Sequence, residues 1–345
     1  MYYSKSFKKS YLTCFIILAS LTLLLGLILP PTTDVKAFAE SSNEVYLGGM
    51  PIGLNLRADG LLVQDYKPII TEKGTVYPAK DGGIIPGDLI THANERKINS
   101  PQELQAEIDK NSTINLKVLR ENNEIELSAT AVYDPITNKN KLGLIVKNDI
   151  SGIGTVTYVD SNGNFCSLGH KICDYNFDNA EKYQIGQIYP ATIIGVYKGK
   201  ENEAGALKGV FDKTKTAIGS VNKNNAFGVY GKLSDTAFYN SSQKVKIGSK
   251  SDVKPGKAFI YSTLDDNCIQ KYQVEIVKAY EQSSPEIKGM VIRITDKRLK
   301  EKCGGIVQGM SGSPIVQDGK LVGAVTHVFL NDASIGYGVY IDWLF

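Results

Sequence analysis

The first strong hydrophobic pattern along the chain is an apolar run near the N-terminus. Residues 11–29 are apolar apart from two threonines and a serine, and Pro30-Pro31 ends the run. A helix of that length rises about 28 Å, close to the roughly 30 Å hydrocarbon core of a bilayer. Lysines precede it, and Ala37-Phe38-Ala39 follows as a small-x-small cleavage pattern. We predict a signal peptide or an uncleaved membrane anchor at residues 1–39, with the remainder outside the cytoplasm.

Between residues 45 and 132 the pattern changes to short apolar runs separated by glycines and polar turns. One helix stands out. Ser100-Pro101-Gln102-Glu103 reads as a capping box with proline at the first helical position. Leu104 and Ile108 behind it form an apolar i,i+4 pair. This pattern predicts a small β-rich domain with one main helix.

The segment Gly-Ile-Ile-Pro-Gly-Asp-Leu-Ile at residues 83–90, followed by that capped helix, resembles a PDZ domain. The resemblance covers residues 45–132. It implies that Ile52, Gly53 and Leu54 form the carboxylate-binding loop, beside a strand edge that pairs with peptides. A domain that serves only as a structural lid is the alternative.

A polar stretch at residues 133–143 breaks regular structure and is predicted to be a linker. From residue 144 to 345 the chain shows short β-rich runs separated by Gly, Asn, Asp and Lys, without alternating helices. Many short strands of this kind favour a sandwich or a barrel. The fold expected for the whole chain is therefore mainly β.

Composition excludes several classes of function for this chain of 345 residues. Its net charge of +3 is small and dispersed, which does not indicate a nucleic-acid partner. None of the five cysteines forms a C-x-x-C pair, so a structural zinc site is not expected. Disulfides among Cys166, Cys173, Cys268 and Cys303 stay open, with buried free thiols as the plainer alternative. No cofactor or metal is expected.

The candidate nucleophile lies in Gly309-Met310-Ser311-Gly312-Ser313-Pro314, near the C-terminus. A serine between glycines can be a plain turn, or a nucleophile on a tight loop whose backbone N–H groups bind an oxyanion. The loop leads into a predicted hairpin that turns at Asp318-Gly319, as in the nucleophile region of chymotrypsin-like serine proteases. We therefore predict Ser311 as the nucleophile, with Ser313 shaping the loop.

A serine nucleophile needs a base and a group that orients the base. Of the three histidines, His92 falls in the PDZ-like region, and His327 belongs to a strand expected to line the substrate cleft, where it would shape a side-chain pocket. His170 is the preferred base. Acids are plentiful, and spacing does not choose among them, although Asp296 ends an alternating strand shortly before Ser311.

The C-terminal part resembles the stage IV sporulation protein B family. The resemblance rests on Leu168-Gly169-His170, Ile294-Thr295-Asp296 and the run from Gly304 to Val328. It implies a chymotrypsin-like double β-barrel serine peptidase at residues 144–345, with His170 as base, Asp296 as orienting acid and Ser311 as nucleophile. By analogy with chymotrypsin-like sites, the backbone N–H groups of Gly309 and Ser311 would form the oxyanion hole.

The family resemblance also implies a role in sporulation. Such peptidases are exported from the forespore into the space between it and the mother cell, where they cleave themselves. They also cut a membrane-bound regulator, and this cleavage leads to activation of a late mother-cell sigma factor. Protein substrates, self-association through the PDZ domain and the membrane are the expected partners, and nucleic acid is not. A non-catalytic PDZ–barrel scaffold is the alternative reading, and the C-terminal Trp343-Leu344-Phe345 would either dock in a PDZ groove or complete the barrel.

Overall fold

Strands dominate the computed structural model, which describes residues 43–173, 182–200, 202–265, 268–329 and 331–345. This confirms the mainly β expectation. The segment expected to be a signal peptide or anchor, residues 1–39, lies outside the described residues. Within the described ranges, no helix is both long and apolar enough to cross a membrane.

The first ten strands and two helices occupy the region from Glu44 to Lys141. In chain order they are β1 (Glu44–Leu47), β2 (Pro51–Tyr66), β3 (Ile69–Thr71), β4 (Gly74–Val76), helix α1 (Pro78–Asp81), β5 (Leu89–Ala93), β6 (Arg96–Lys97), helix α2 (Pro101–Lys110), β7 (Thr113–Arg120), β8 (Asn123–Thr130), β9 (Val132–Asp134) and β10 (Lys139–Lys141). Strands β2, β5, β7 and β8 pair side by side.

The remaining elements are almost all strands. They are β11 (Leu144–Val159), β12 (Asn164–Ser167), β13 (Ile185–Pro190), β14 (Thr192–Tyr197), β15 (Ala206–Val210), β16 (Gly219–Asn225), β17 (Gly228–Leu233), β18 (Lys244–Ile247), β19 (Gly256–Ser262), β20 (Gln270–Ala279), β21 (Met290–Ile294), helix α3 (Lys297–Cys303), β22 (Pro314–Gln317), β23 (Lys320–Phe329) and β24 (Asp332–Tyr340).

Two closed rings of six antiparallel strands form the peptidase-like part. The first barrel runs β2–β11–β12–β17–β16–β13 and returns to β2. The second runs β19–β20–β21–β24–β23–β22 and returns to β19. Each ring encloses its own apolar core. The pairing agrees with the expected double barrel.

Alternation of apolar and polar residues explains why these segments are strands. In β21, Met290, Ile292 and Ile294 are buried in the core of the second barrel, whereas Val291 and Arg293 point away from it. Period-two patterning of this kind places every second side chain on the core face of a sheet. Closing the sheet into a barrel then leaves no unpaired edge along the ring.

Helix α2 begins where the capping box predicted. The Ser100 hydroxyl accepts a hydrogen bond from the Glu103 N–H at 3.2 Å, and the Glu103 carboxylate accepts one from the Asn99 N–H at 2.7 Å. Leu104 and Ile108 are both buried in a separate apolar core beneath the helix. The helix thus covers one face of the β5–β7–β8 sheet and completes a PDZ-like unit.

The unit boundaries differ from the expected division at residues 133–143. The first half of β2 belongs to the first barrel and its second half to the PDZ-like sheet, while residues 144–155 of β11 pair with both halves. Residues 132–141 contain the β9–β10 hairpin rather than an irregular linker. Glu44–Phe345 accordingly forms one compact unit. Two long shared strands join the PDZ-like unit to the first barrel.

The C-terminal tail completes the structure beside the barrels. Leu344 is fully buried, and its carbonyl oxygen accepts a hydrogen bond of 2.7 Å from the Tyr158 hydroxyl. The Phe345 ring stacks on the Tyr158 ring with centroids 4.5 Å apart. Of the two readings of the tail, this placement favours the structural one. Cys166 and Cys303 are buried free thiols, and Cys268 is an exposed one.

Candidate active site

The nucleophile loop, residues 309–313, lies between helix α3 and strand β22. Gly309 and Gly312 adopt positive φ angles of 95° and 93°. At Gly312 a Cβ atom would lie 2.2 Å from the carbonyl oxygen of Thr155, so only glycine fits there. Met310 is fully buried and anchors the loop in the core of the second barrel. The loop geometry therefore depends on the glycines that flank Ser311.

Two threonines of β11 hold this loop from the first barrel. The Thr155 hydroxyl donates to the carbonyl oxygen of Gly309 at 2.7 Å, and the Thr157 hydroxyl donates to that of Gly312 at 2.8 Å. Both threonine side chains are buried. Buried hydrogen bonds of this kind fix geometry because breaking one leaves an unsatisfied polar group. The nucleophile loop is thus positioned by both barrels.

Ser311 and Ser313 lie in different environments. Ser311 is half-buried, and its Oγ donates to the Thr326 carbonyl oxygen at 2.8 Å. Ser313 is fully buried, and its Oγ has no hydrogen-bond partner in the described part of the chain. A substrate can reach Ser311 and not Ser313. This placement agrees with Ser311 as the reactive serine and Ser313 as a loop residue.

The two expected oxyanion donors are available. Among the described residues, the backbone N–H groups of Gly309 and Ser311 donate no hydrogen bond, whereas that of Met310 between them donates to the Val307 carbonyl oxygen at 3.1 Å. Two N–H groups of the loop, one on each side of Met310, are therefore left for a substrate oxygen. Donors held in this way stabilise an oxyanion at little reorganisation cost.

His170 follows a tight left-handed turn. Leu168 and Gly169 have φ angles of 71° and 66°, and a Cβ on Gly169 would lie 2.9 Å from the Thr326 Cγ2. The turn presents the His170 ring over β23. Its Nδ1 lies 2.8 Å from the Lys171 carbonyl oxygen. Because a carbonyl only accepts, Nδ1 carries the proton and Nε2 keeps a free lone pair. Burial lowers the pKa of His170, against a smaller opposing effect of that hydrogen bond.

Ser311 and His170 share one cavity. It has a volume of about 590 Å³ and is also lined by Gly309, Thr326 and His327. The His170 and His327 rings lie 5.3 Å apart between centroids. A second cavity of about 780 Å³ also contains both histidines. A cleft therefore passes over the serine, the base and the free N–H groups.

His327 is a neutral wall of this cleft. Its Nδ1 is buried without a hydrogen-bond partner in the described ranges. Burial, with smaller contributions from the positive charges of His170 and Lys288, lowers the pKa of His327 to about 4. It is therefore uncharged near neutral pH. This placement fits the expectation that His327 shapes a pocket.

Asp296 is not brought to His170. Its carboxylate accepts hydrogen bonds from the backbone N–H groups of Gln273 and Arg298 and pairs with the Arg298 guanidinium at 2.9 Å. Asp296 is the N-cap of helix α3 and lines neither cavity around His170. The Arg298 guanidinium lowers the pKa of Asp296. In this structure the Lys171 carbonyl accepts a hydrogen bond from His170 and Asp296 caps helix α3, and the role of Asp296 as triad acid stays a prediction.

A pair of substitutions separates the two roles of Asp296. Asp296→Asn keeps a capping oxygen and removes the charge, and Arg298→Met removes the same ion pair from the other side. We expect both variants to change kcat/KM by less than about tenfold, because neither side chain contacts His170. A triad acid would instead cost about 10⁴-fold in kcat when replaced by asparagine. Such a loss in Asp296→Asn alone, measured by peptide hydrolysis, would show that Asp296 reaches His170 during catalysis.

The predicted carboxylate-binding loop also lies elsewhere than expected. Ile52, Gly53 and Leu54 sit inside the first barrel, in β2, with β11 paired on one edge and β13 on the other. Ile52 and Leu54 are fully buried. No strand edge is open to a peptide at these residues, so this assignment is corrected. The PDZ resemblance placed the first half of β2 in the PDZ domain, whereas in the structure this half is a strand of the first barrel.

A groove of the PDZ-like unit opens between helix α2 and the start of β11. It has a volume of about 300 Å³, with Leu104 and Ile108 on the helix side and Leu144 and Val146 on the strand side. Along residues 144–147, β11 pairs only with β2 among the described strands, so its other edge faces the groove. The apolar Leu-Gly-Leu-Ile-Val run at residues 142–146 is the sequence signal for this groove. It was overlooked because the predicted linker, residues 133–143, overlaps its start.

Three positioning groups were missed by the sequence interpretation. Thr155 and Thr157 carry no sequence signal of their own, since threonine is common in strands. The Asn224 side chain accepts a hydrogen bond from the Ile172 N–H at 2.9 Å and donates to the Ile172 carbonyl oxygen at 2.7 Å. It thereby fixes the chain just beyond His170. Such contacts depend on tertiary pairing and could not be found in the one-dimensional pattern.

Fold and site together define a serine peptidase of two β-barrels joined to a PDZ domain. A family model for SpoIVB peptidase S55 matches residues 138–345, and one for the PDZ domain matches residues 48–130. The chain belongs to the SpoIVB peptidase S55 family.

The chain is also similar to solved structures of one protease. The active form of the Rv3671c protease from M. tuberculosis is 13% identical, with a TM-score of 0.30 over 56% of this chain and 70% of that chain. The inactive form of the Rv3671c protease is 12% identical, with a TM-score of 0.30 over 56% of this chain and 81% of that chain.

Proposed function

We propose that this protein is a serine endopeptidase in which Ser311 is the nucleophile and His170 the general base. The observation that carries the proposal is a single cleft that contains the half-buried Ser311 and His170 beside two undonated backbone N–H groups. Nucleophile, base and oxyanion donors are the three parts that acyl transfer from an amide requires. The family membership supports the same activity.

The first step is attack on the peptide carbonyl. Ser311 Oγ turns from the Thr326 carbonyl oxygen toward His170, a side-chain rotation of the kind that substrate binding commonly completes. As the Oγ–carbon bond forms, the hydroxyl proton passes to His170 Nε2. The carbonyl oxygen becomes an oxyanion and accepts hydrogen bonds from the Gly309 and Ser311 N–H groups. The Lys171 carbonyl then stabilises the charged imidazolium through Nδ1–H.

The second step releases the products. His170 gives its proton to the departing amine as the carbon–nitrogen bond breaks, which leaves an acyl group on Ser311. Water, deprotonated by the same His170 Nε2, attacks the ester carbon. The bond from that carbon to Ser311 Oγ then breaks, His170 returns the proton to Oγ, and the carboxylic acid product leaves. A backbone carbonyl carries only a partial negative charge, so it stabilises imidazolium less than a carboxylate would.

The PDZ groove provides a second contact for protein substrates. A peptide would add as a strand to the open edge of β11 at residues 144–147 and place apolar side chains against Leu104 and Ile108. The same groove would mediate self-association when the peptide comes from another copy of this chain. The embedded Leu344 and the stacked Phe345 make the C-terminal tail an unsuitable ligand in the folded chain.

The biological part of the proposal rests on the family. We propose that the peptidase acts during sporulation, cleaves itself and cuts a membrane-bound regulator between the forespore and the mother cell. Residues 1–39 would export it across the forespore membrane or anchor it there. Cleavage of the regulator would signal the activation of late mother-cell sigma factor processing.

One observation favours a second candidate function. No carboxylate among the described residues lines either cavity beside His170, and a base oriented by a carbonyl alone is weaker than a full triad. A non-catalytic PDZ–barrel scaffold in the same compartment would tolerate that arrangement. The two functions differ in whether Ser311 is reactive.

Labelling with a fluorophosphonate tests this point directly, because the probe reacts with serines that an adjacent base activates. We expect labelling close to one mole per mole, which mass spectrometry assigns to the peptide that contains Ser311. Ser311→Ala should abolish labelling, and Ser313→Ala, which alters the buried neighbour, should retain it if the loop stays folded. Absence of labelling in the folded wild-type chain would leave the scaffold function.

A further inference from the structure

One wall of the cleft beside Ser311 is apolar. Ala204, Ile306, Val307 and Val328 line the cavity next to the nucleophile loop, and we call this wall the side-chain pocket. Ile306 and Val307 are almost fully buried, so their inner faces are fixed by packing against the second barrel. The pocket is a preformed apolar surface within reach of the reacting serine.

The position of the pocket relative to the oxyanion donors decides which substrate residue it receives. Residues 306–308 lead directly into Gly309, whose N–H would bind the carbonyl oxygen under attack. Thr326 and Val328 of β23 line the same cavity. Val325 bonds through its N–H to the Ser313 carbonyl oxygen and through its carbonyl oxygen to the Gly312 N–H. Beyond Val325, β23 pairs only with β24 among the described strands, so its other edge is open to the cleft there. A substrate strand along that edge places the side chain of the attacked residue between these two segments.

In the described part of the chain, no charged side chain lines the cavity to pair with a charged substrate residue. Its described lining contains no Asp, Glu, Lys or Arg, and the Thr326 hydroxyl donates to the Tyr337 carbonyl oxygen at 3.3 Å. Gln308 is exposed at the mouth. Lys288 is exposed outside the lining, with its amine 4.8 Å from the centre of the Tyr337 ring. Burying a charge without a counter-ion is strongly unfavourable, whereas burying methyl and methylene groups is favourable.

We propose that the enzyme cleaves after an uncharged aliphatic residue, whose side chain the pocket of Ala204, Ile306, Val307 and Val328 receives. This inference rests on the proposed peptidase function and names its substrate class. Val328, half-buried at the rim on β23, is the residue whose replacement should change the preference. A carboxylate at that position would face the pocket and supply the missing counter-ion for a basic side chain.

The test uses the full-length chain in mild detergent and a mixture of synthetic peptides with every residue type at every position. Product mass spectrometry identifies each cleaved bond. We expect kcat/KM after Val, Leu, Ile or Ala to exceed that after Asp, Glu, Lys or Arg by about 100-fold or more. Val328→Asp should lower the aliphatic preference and raise cleavage after Lys and Arg relative to wild type. Val210→Asp, an exposed position on β15 outside both cavities, is the matched control and should keep the wild-type ranking.

The outcomes test the substrate preference separately from the proposed peptidase activity. If Ser311 takes up the fluorophosphonate and the wild type prefers charged residues before the cleaved bond, the side-chain pocket is assigned wrongly and the peptidase function stands. If Ser311 stays unlabelled and no peptide is cut, the peptidase function itself fails. Should Val328→Asp not fold, the wild-type ranking alone decides the inference.

Discussion

Replacing His170 with alanine is expected to lower kcat for peptide hydrolysis by roughly 10⁴- to 10⁶-fold, the range found when a base that works together with its nucleophile is removed. His170 is the histidine whose Nδ1 is committed to a backbone carbonyl and whose Nε2 is left to accept the serine proton. KM should change little, because the ring contributes more to proton transfer than to binding. The measurement is steady-state kinetics on an internally quenched peptide.

Two other histidines serve as controls. His92 lies on β5 in the PDZ-like unit, where its Nδ1 contacts the Thr91 hydroxyl, so His92→Ala should retain wild-type kcat. His327→Ala should lower kcat/KM by about tenfold at most, since it removes a wall of the cleft and not the base. A collapse of activity in His327→Ala with His170→Ala near wild type would reverse the assignment of the base.

The pH dependence of kcat/KM is a further test of His170 as the general base. Only neutral His170 acts as a base, and burial lowers the pKa of its imidazole below the usual 6.5. The acid limb of kcat/KM, which reports the free enzyme, should therefore lie below pH 6.5, with activity constant through neutral pH. An acid limb above that value would mean that a carboxylate stabilises the imidazolium in solution.

How far the sequence predicted this protein depends on whether a feature is local. The helix α2 cap, the hairpin after Ser311 and the period-two strands such as β21 follow from neighbouring residues, and the structure has them where the patterns indicated. The strands of the barrels were recognisable for the same reason. Their closure into two rings was expected from the family resemblance.

Features that depend on long-range pairing could not be read in this way. An unbroken strand of sixteen residues, β2, serves the first barrel with Ile52 and Leu54 and the PDZ-like sheet with Leu61 and Leu62. Nothing in the local pattern marks where one role ends and the other begins. The ion pair of Asp296 with Arg298, two residues away, was likewise not expected from the local pattern.

The remaining large effect concerns the oxyanion site. We expect Gly309→Ala to lower kcat by roughly 10²- to 10³-fold, the usual cost of losing one oxyanion donor. Gly309 has a φ of 95°, which an L-residue rarely adopts, and the new Cβ would lie 3.0 Å from the Leu207 Cβ. Relief of that strain rotates the backbone, which moves the Gly309 N–H and breaks the hydrogen bond from the Thr155 hydroxyl to the Gly309 carbonyl. KM should be nearly unchanged, because the donor acts chiefly in the transition state.

Gly319→Ala is the matched control for backbone strain. Gly319 also has a positive φ, of 78°, in the β22–β23 turn, and a Cβ there meets no atom within 4 Å. Each variant should lose about 1–2 kcal/mol of stability in thermal or denaturant unfolding from the left-handed conformation of alanine. Gly309→Ala should lose more, because it also breaks the hydrogen bond from Thr155. Only Gly309→Ala should also lose kcat. Equal kcat values for the two variants would show that the Gly309 N–H does not bind the oxyanion, and the Ser311 N–H would then be the remaining donor of the loop.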